Sequence, residues 1–517
     1  RTILDILRRN MGAEDIKSTE LSKYISRAKS CLLGPQEVKR VSADEQEVQM
    51  ARLYAAYERR LRQQNFCDFD DQILLPVRLI REDALAAAEL PALFSHILVD
   101  EFQDTNRAQY ALLRYLAAPD NNLFAVGDDA QGIYGFRAAD LDNLLNFERD
   151  YPNYQRILLE TNYRSTPAIV ALANNLIRHN LRQVNKTIRA ATAGGGEVVM
   201  AQALDSFQEA KQVAEQVQSL STQGVELAQI AILYRTHALA GLMIEALNSM
   251  KIPYFAKKSG HFYEHPAISD ALGYLRLALP RSTHPTAELA LEQLLRRCGV
   301  QDAALSIIRA CAKITQTSLW EAMQSGDSLH LPSLAQRSAV QKAVALVKDW
   351  RMGNRSPADL LLRIIDSLQL RSALGRNRRE AARQKLDILA TFHEQLRRWN
   401  PASLGEVFRK VEEQLETRHK RSTSQAVQLL TIHASKGLEW DAVFVLGLEE
   451  NSLPYQLAIE EGNIAEERRL CYVAITRARR FLHLSYAREK VRFGQRYVAI
   501  PSRFLGEMSL ASPRQMS

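Results

Sequence analysis

Two short apolar runs, each breaking off into acids, constrain this chain more than anything else in it. Ile97-Leu98-Val99 ends at Asp100-Glu101, and Phe102-Gln103-Asp104-Thr105 then opens a helical pattern at Ala108, Leu112, Leu113 and Leu116. Further on, Leu123–Val126 ends at Gly127-Asp128-Asp129-Ala130-Gln131, followed by Gly132-Ile133-Tyr134-Gly135-Phe136-Arg137. An apolar run of that length reads as a buried parallel strand. Acids at its carboxyl end stand where open α/β sheets bind ligands. Asp100 is suited to hold Mg²⁺, a hard cation that takes one or two carboxylates plus phosphate oxygens. Glu101 is suited to orient or deprotonate an attacking water. An Asp-Glu pair after a strand also caps helices with no chemistry at all. Two strands delivering acids and an amide to one edge, with two aromatics and an arginine behind them, favour a site over a cap.

The bulk properties bound the rest. At 517 residues the chain has room for about three or four domains, each with its own core. Its 46% apolar and 24% charged residues are those of a soluble globular protein. A net charge of +8 permits a polyanionic partner without proving one. Cys31, Cys67, Cys298, Cys311 and Cys471 form no C-x-x-C pair and no zinc spacing, so reduced thiols are expected. No apolar run approaches the ~18–20 residues of a membrane span, and no signal peptide is visible. A cytoplasmic protein is expected. The chain starts at Arg1 directly on a helical pattern (Ile3, Leu4, Leu7), which reads as a piece of something longer.

Residues 1 to about 90 read as helices, with Val48, Ala51, Ala55 and Leu61 on one stripe of Asp44–Gln64. Phe66-Cys67-Asp68-Phe69-Asp70-Asp71 reads as a helix N-terminus capped by Asp68 or Asp70. Strands and helices then alternate, with Ile157–Leu159 as the third strand, which implies a parallel sheet. That strand leads into Glu160-Thr161-Asn162-Tyr163-Arg164-Ser165 and a helix begun by Thr166-Pro167. Gly194-Gly195-Gly196 lacks a following Lys-Ser/Thr and reads as a linker rather than a phosphate loop. Strands Val198–Ala203 and Ile230–Tyr234 open a second α/β unit. From about 281 to 425 the pattern is wholly helical, as at Leu361, Ile364, Ile365 and Leu368 behind the Ser356-Pro357 cap. There Arg376, Arg378 and Arg379 suit a solvated helix face better than a phosphate contact, and Thr417–Gln425 reads as a linker. The α/β pattern resumes with Val427–Ile432, His433-Ala434-Ser435-Lys436-Gly437-Leu438-Glu439-Trp440 and strand Val443–Leu446. A helix follows from Glu466 through Thr476-Arg477-Ala478-Arg479, with Arg477 expected to project from its end, then strand Phe481–Tyr486.

These blocks resemble, in order and spacing, the motifs of the UvrD/Rep/PcrA family of superfamily 1 DNA helicases, closest to Rep-like members. Val99–Thr105 and Val126–Arg137 resemble motifs II and III, and Glu160–Ser165 resembles motif IV. His433–Glu439 resembles motif V, and Glu466–Arg479 resembles motif VI. The resemblance implies an α/β fold of two RecA-like parallel-sheet motor domains, the first incomplete, with helical insertions. Residues 1–90 would be a partial 1B-like subdomain and 91–195 the first motor domain. Residues 196–280 and 426–517 would form the second motor domain, interrupted by a 2B-like insertion at 281–425. In a segment that resembles the family at Tyr254–Asp270, Lys258-Ser259 stands where a Gly-Gly pair is expected.

The function implied is ATP-dependent 3′→5′ translocation on single-stranded DNA, with strand separation at single-strand/duplex junctions and accessory replication or repair proteins as possible partners. ATP and Mg²⁺ are the implied cofactors. By resemblance, Asp100 holds the metal, Glu101 acts on water, and Gln131 senses the γ-phosphate. Arg164 and Arg477, from the two motor domains, would neutralise developing charge. Tyr163 would pack on the adenine, the Gly437 turn would present backbone N–H groups to phosphate, and Glu439 would meet the nucleotide sugar. Tyr134, Phe136, Arg137 and His433 would face DNA. Phe136 stands where the family often has Trp, and Ala138 where it often has Gly. No G-x-x-x-x-G-K-[ST] occurs in the chain, so the polypeptide is expected to hydrolyse little ATP by itself. The rival reading is a non-catalytic DNA-binding paralogue that has lost its ATPase. The other catalytic-type side chains are all present, which decay would not spare. A helicase–nuclease fits less well, because no further acidic constellation follows Phe504.

Overall fold

The computed structural model describes residues 2–13, 16, 18–42, 44–118, 120–256, 261–280, 284–324, 330–353, 355–372, 380–416, 425–509 and 514–515. The Lys258-Ser259 departure, the Arg376–Arg379 cluster and nearly all of the 417–425 linker lie outside these residues. The chain divides into two compact units. The first comprises Arg1–Glu160 and Ile177–Thr187; the second comprises Thr161–Leu176 and Ile188–Ser517.

In the first unit, helices Thr2–Asn10, Ser18–Ser30, Pro35–Val41 and Glu45–Gln63 close over a core of Leu4, Ile16, Leu21, Ile25, Val38, Leu53 and Tyr54. Asp44 caps the last of these by accepting from the Glu47 amide at 2.8 Å. The expected cap is met at Asp68 and not at Asp70. Asp70 precedes helix Asp71–Glu82 without a side-chain capping bond. Asp68 and Asp71 accept from each other's amides at 2.9 and 3.2 Å. Lys29, fully buried, lies 2.7 Å from Asp71 and 2.8 Å from Asp68 and Glu58. Burial alone would push the Lys29 ammonium toward neutrality, but the three carboxylates reverse that and raise its pKa. The acids serve a buried cation, which their spacing alone does not reveal.

Strand β1 (Ile97–Val99) pairs in parallel with β2 (Leu123–Ala125), Ile97 opposite Leu123. The expectation of a buried strand fails here: Leu98 is 74% and Phe124 60% exposed. Among the described residues this sheet has two strands, and the outward side chains of both face solvent. Ile157–Leu159, expected as a third strand, has no partner strand among the described residues, and Ile157 and Leu159 are exposed.

In the second unit, β3 (Thr161–Asn162) pairs in parallel with β4 (Arg189–Ala190). The main sheet is built from β5 (Glu197–Asp205), β6 (Ile230–Tyr234), β7 (Tyr254–Phe255), β8 (Val427–Thr431), β9 (Trp440–Val445), β10 (Ala478–Arg492), β11 (Gln495–Val498) and β12 (Arg514–Gln515). Its order is β12-β5-β10-β9-β6-β8-β7, all parallel, with β11 antiparallel to β10. All five residues of the central β6 are buried, which is what a continuous apolar run predicts for a strand covered on both faces. Between β7 and β8, the described residues form helices only beyond one short turn, from Pro266–Leu277 to Leu404–Glu416. Among the described residues no helix is long and apolar enough to cross a membrane, and all five cysteines are free thiols.

One buried ion pair sets helix Ile464–Ile475 against β6. Arg235, just past the strand, donates to Glu467 at 3.0 and 2.9 Å, and Glu467 also accepts from the Tyr455 amide at 2.9 Å. Both side chains are more than nine-tenths buried, so deleting one strands the other charge. Glu467→Ala is predicted to lower the unfolding free energy of this unit by roughly 3–5 kcal/mol. Urea denaturation followed by circular dichroism checks this; a loss below about 1.4 kcal/mol (less than a tenfold effect) contradicts it.

Candidate functional site

In the first unit the acids of the β1 turn and the amide of the β2 turn are joined by a buried glutamine. Asp100 sits exposed at the end of β1 and accepts from the Glu101 amide at 2.8 Å. Glu101 takes a left-handed conformation, φ 51° and ψ 43°, which costs a non-glycine residue roughly 1–3 kcal/mol. Its carboxylate accepts from Gln103 Nε2, and Gln103 Oε1 in turn accepts from the Asp128 amide at 2.9 Å. Asp128 then holds Gln131 through Oδ2 at 2.7 Å. One polar chain therefore runs Glu101–Gln103–Asp128–Gln131.

The same loop carries the aromatics. Tyr134 and Phe136 have ring centroids 5.9 Å apart, and the Arg137 guanidinium lies 5.2 Å from one ring and 5.5 Å from the other. Such an arrangement can stack a base and meet a backbone phosphate. Ala138, which follows, has φ 64°, the region that favours glycine. Among the described residues no three His, Cys, Asp or Glu side chains gather into a metal site of their own. The exposed carboxylate of Asp100 nonetheless fits Mg²⁺, because that ion keeps waters and takes phosphate oxygens beside one or two carboxylates.

The second unit gathers arginines at the amino edge of its sheet. Arg164 follows β3 and donates to Glu439, the residue before β9, and to the Thr476 carbonyl at 3.4 Å. Arg477, expected to project from its helix, is 2% exposed and folds back. It donates to the carbonyls of Val473 at 3.0 Å and Leu438 at 3.2 Å, and to the Thr476 hydroxyl at 3.2 Å. Unpaired carbonyls at a helix end attract a guanidinium strongly, and that interaction draws the side chain inward. Arg164 and Arg477 thus share one body rather than standing on two. Segment 161–166 packs onto β10, the Ser165 hydroxyl donating to the Ala478 carbonyl at 2.7 Å and the Thr166 amide to Arg479 at 3.1 Å. A side chain at Gly196 would lie 2.2 Å from the Arg480 carbonyl, so the last of the three glycines serves this close approach.

Tyr163 is exposed beside Arg164, and Gly437, at φ 80°, turns the chain two residues before Glu439. His433 stands apart from this group. It follows the carboxyl end of β8, and the loop carrying it crosses to the amino end of β9, so the strand length separates it from Glu439. The sequence reading missed Arg479, whose guanidinium holds Glu439 at 2.8 Å, Asp441 at 3.3 Å and Gln229 at 3.2 Å. It is the second residue of a strand, and periodicity carries no sign of its partners.

Comparison with known proteins bears on both units. Residues 1–152 match the UvrD/REP helicase N-terminal domain, and residues 157–489 match the UvrD-like helicase C-terminal domain. The chain belongs to the UvrD/Rep/PcrA family of superfamily 1 DNA helicases. It is 30% identical over 521 aligned positions to the ATP-dependent DNA helicase PcrA of Staphylococcus epidermidis, covering 98% of this chain and 70% of that protein. The corresponding figure for the Staphylococcus aureus (strain Mu50) protein of the same name is 29% with the same coverage.

In this helicase fold Glu439 carries two guanidiniums. Arg479, and then Arg164, hold its carboxyl below the ordinary glutamate value against the opposing pull of partial burial. Because the folded pKa is depressed, the stabilisation is present above about pH 4.5 and fades as pH falls through the lowered value. Carbon-detected NMR titration is predicted to show Glu439 below about 4.5 and to move it upward in Arg479→Ala. An unshifted titration in the variant contradicts the assignment.

Proposed function

We propose that this chain is the motor portion of an ATP-driven helicase that moves 3′→5′ on single-stranded DNA and separates strands at a duplex junction. The observation that carries the reading is the single loop 127–137, which couples a hydrogen-bonded Gln131 to the Tyr134–Phe136–Arg137 cluster. Bound ATP with Mg²⁺ supplies the free energy of phosphoryl transfer. Asp100 would hold the cation, and Glu101, kept in place by Gln103, would orient the attacking water. Gln131 senses the γ-phosphate. Arg164 neutralises charge that develops on it, and the same role for Arg477 requires it to release the Val473 and Leu438 carbonyls. Tyr163 packs on the base and Glu439 meets the sugar, which requires Glu439 to release Arg164 toward phosphate. Tyr134 and Phe136 stack on bases without reading them, Arg137 holds the backbone, and His433 adds a DNA contact from its own loop.

The domain assignment we propose follows the family order: a 1B-like part at 1–90, a first motor domain beginning at 91, a second at 196–280 and 426–517 to which 161–176 and 188–195 are added because they pack with it, and a 2B-like insertion at 281–425. Accessory replication or repair proteins are the proposed partners beyond DNA. Since the sequence holds no G-x-x-x-x-G-K-[ST], these residues by themselves are proposed to hydrolyse essentially no ATP.

Two measurements test this. Tyr134→Ala and Phe136→Ala are each predicted to weaken oligo-dT binding by about 1–3 kcal/mol, read by fluorescence anisotropy, with affinity falling as salt rises. Unchanged binding in both variants overturns the DNA surface. An ATPase assay on the 517 residues with single-stranded DNA is predicted to stay at background; ordinary DNA-stimulated turnover contradicts that part.

A further inference from the structure

Segment 177–187 belongs to the first unit, although the stretches on either side of it, 161–176 and 188 onward, belong to the second. It is fastened at several points. Arg182 reaches Asp142 at 2.7 Å, the Val184 amide donates to Asp129 Oδ2 at 3.0 Å, and the Thr187 amide to Glu160 at 2.7 Å. The strongest fastening is Lys186, whose Nζ donates to Asp128 Oδ1 at 2.6 Å and also to Asp129 Oδ1. Asp129 is 3% exposed and the Lys186 side chain 17%, so these are shielded, charge-assisted bonds rather than loose surface pairs.

The Asp128 carboxylate is divided between two tasks. Oδ1 takes Lys186 and the Ala130 amide at 3.0 Å, while Oδ2 takes Gln131 Nε2 at 2.7 Å. The group that orients Gln131 is therefore itself oriented by Lys186. Without the ammonium, Asp128 and Asp129 would be adjacent, shielded and uncompensated, and the cheapest relief is for Asp128 to turn toward water and release Gln131. The 3₁₀ turn Asp129–Gln131 would loosen with it, and Tyr134 follows that turn by three residues.

We propose that Lys186 is a positioning residue for the 128–137 loop, holding Gln131 and the aromatic cluster in one arrangement through the Asp128 carboxylate. The functional consequence rests on the reading of Tyr134, Phe136 and Arg137 as a single-strand DNA surface. Burial pushes the Lys186 ammonium toward neutrality, and Asp128 and Asp129 outweigh it, so the side chain stays charged as the role requires. Lys186 also lies one residue before the chain passes into the second unit at 187/188. A displacement of the chain there reaches Gln131 through two hydrogen bonds.

The test compares Lys186→Ala, Lys186→Arg, Asp128→Ala and the Lys186→Ala/Asp128→Ala pair in the full 517-residue chain. Oligo-dT affinity is read by anisotropy, and backbone hydrogen exchange is read at 128–131 and 184–187. Lys186→Ala is expected to weaken binding about tenfold (roughly 1.4 kcal/mol) and to speed exchange in both segments, with helix Ser18–Ser30 unaffected. Lys186→Arg is expected to restore both readouts. Asp128→Ala decides between positioning and simple charge. Removing an anion strengthens DNA binding if only net charge matters, whereas positioning predicts weaker binding, with the double variant no worse than Asp128→Ala alone. Unchanged exchange in Lys186→Ala, or tighter binding in Asp128→Ala, overturns the proposal. Should the parent chain not bind oligo-dT, the DNA reading fails, and the exchange measurement alone then decides the role of Lys186.

Discussion

The side-chain amide of Gln103 is the joint on which the edge of the first unit that carries Asp100 and Gln131 depends. It is 1% exposed, and its two ends serve two different turns, Nε2 bonding Glu101 and Oε1 accepting from Asp128. β1 and β2 have three residues each, and a strand pair that short has little stability of its own. The turns beyond it need a further constraint, and a buried amide supplies one that water cannot easily replace. Gly127 shows how tight the fit is: a Cβ there would lie 2.8 Å from Gln103 Oε1. The left-handed backbone of Glu101 is tolerated in the same setting.

The second unit solves a different problem. Its sheet is broad and its central strand fully buried, so the scaffold is rigid without help. What must be managed there is positive charge. Arg164, Arg477 and Arg479 converge on the residues before β9 and β10, and each is given acceptors: Glu439 and Asp441 for the outer two, carbonyls for Arg477. Like charges held that close would repel without the two carboxylates. Glu439 is thus a counter-ion as well as a candidate ligand contact, and any phosphate arriving at Arg164 competes with it.

Much of this was legible in the sequence, for reasons that can be named. Ile230–Tyr234 is an apolar run that fits one kind of strand, and Ser356-Pro357 opens its helix as a capping pair should. The turns at Asp100-Glu101 and Gly127–Gln131 stand out because strand residues change abruptly to acids. Other features depend on contacts that span many residues of chain. Lys29 meets Asp68 and Asp71, and Lys186 meets Asp128, across separations that local patterning cannot see. Arg477 has the composition of an exposed helix terminus and is drawn inward by carbonyls. Ile157–Leu159 has the apolarity of a strand, yet no strand pairs with it among the described residues.

If one buried amide couples the acid-bearing turn to the aromatic-bearing turn, removing its hydrogen-bonding capacity must loosen both. Backbone hydrogen exchange of Gln103→Leu, followed across 99–105 and 126–137, measures this directly. Protection is predicted to fall in the two stretches together, with the Ser18–Ser30 helix retaining its own. Loss confined to 99–105, with 126–137 as protected as in the parent chain, would show that the two turns are held independently and contradict the account.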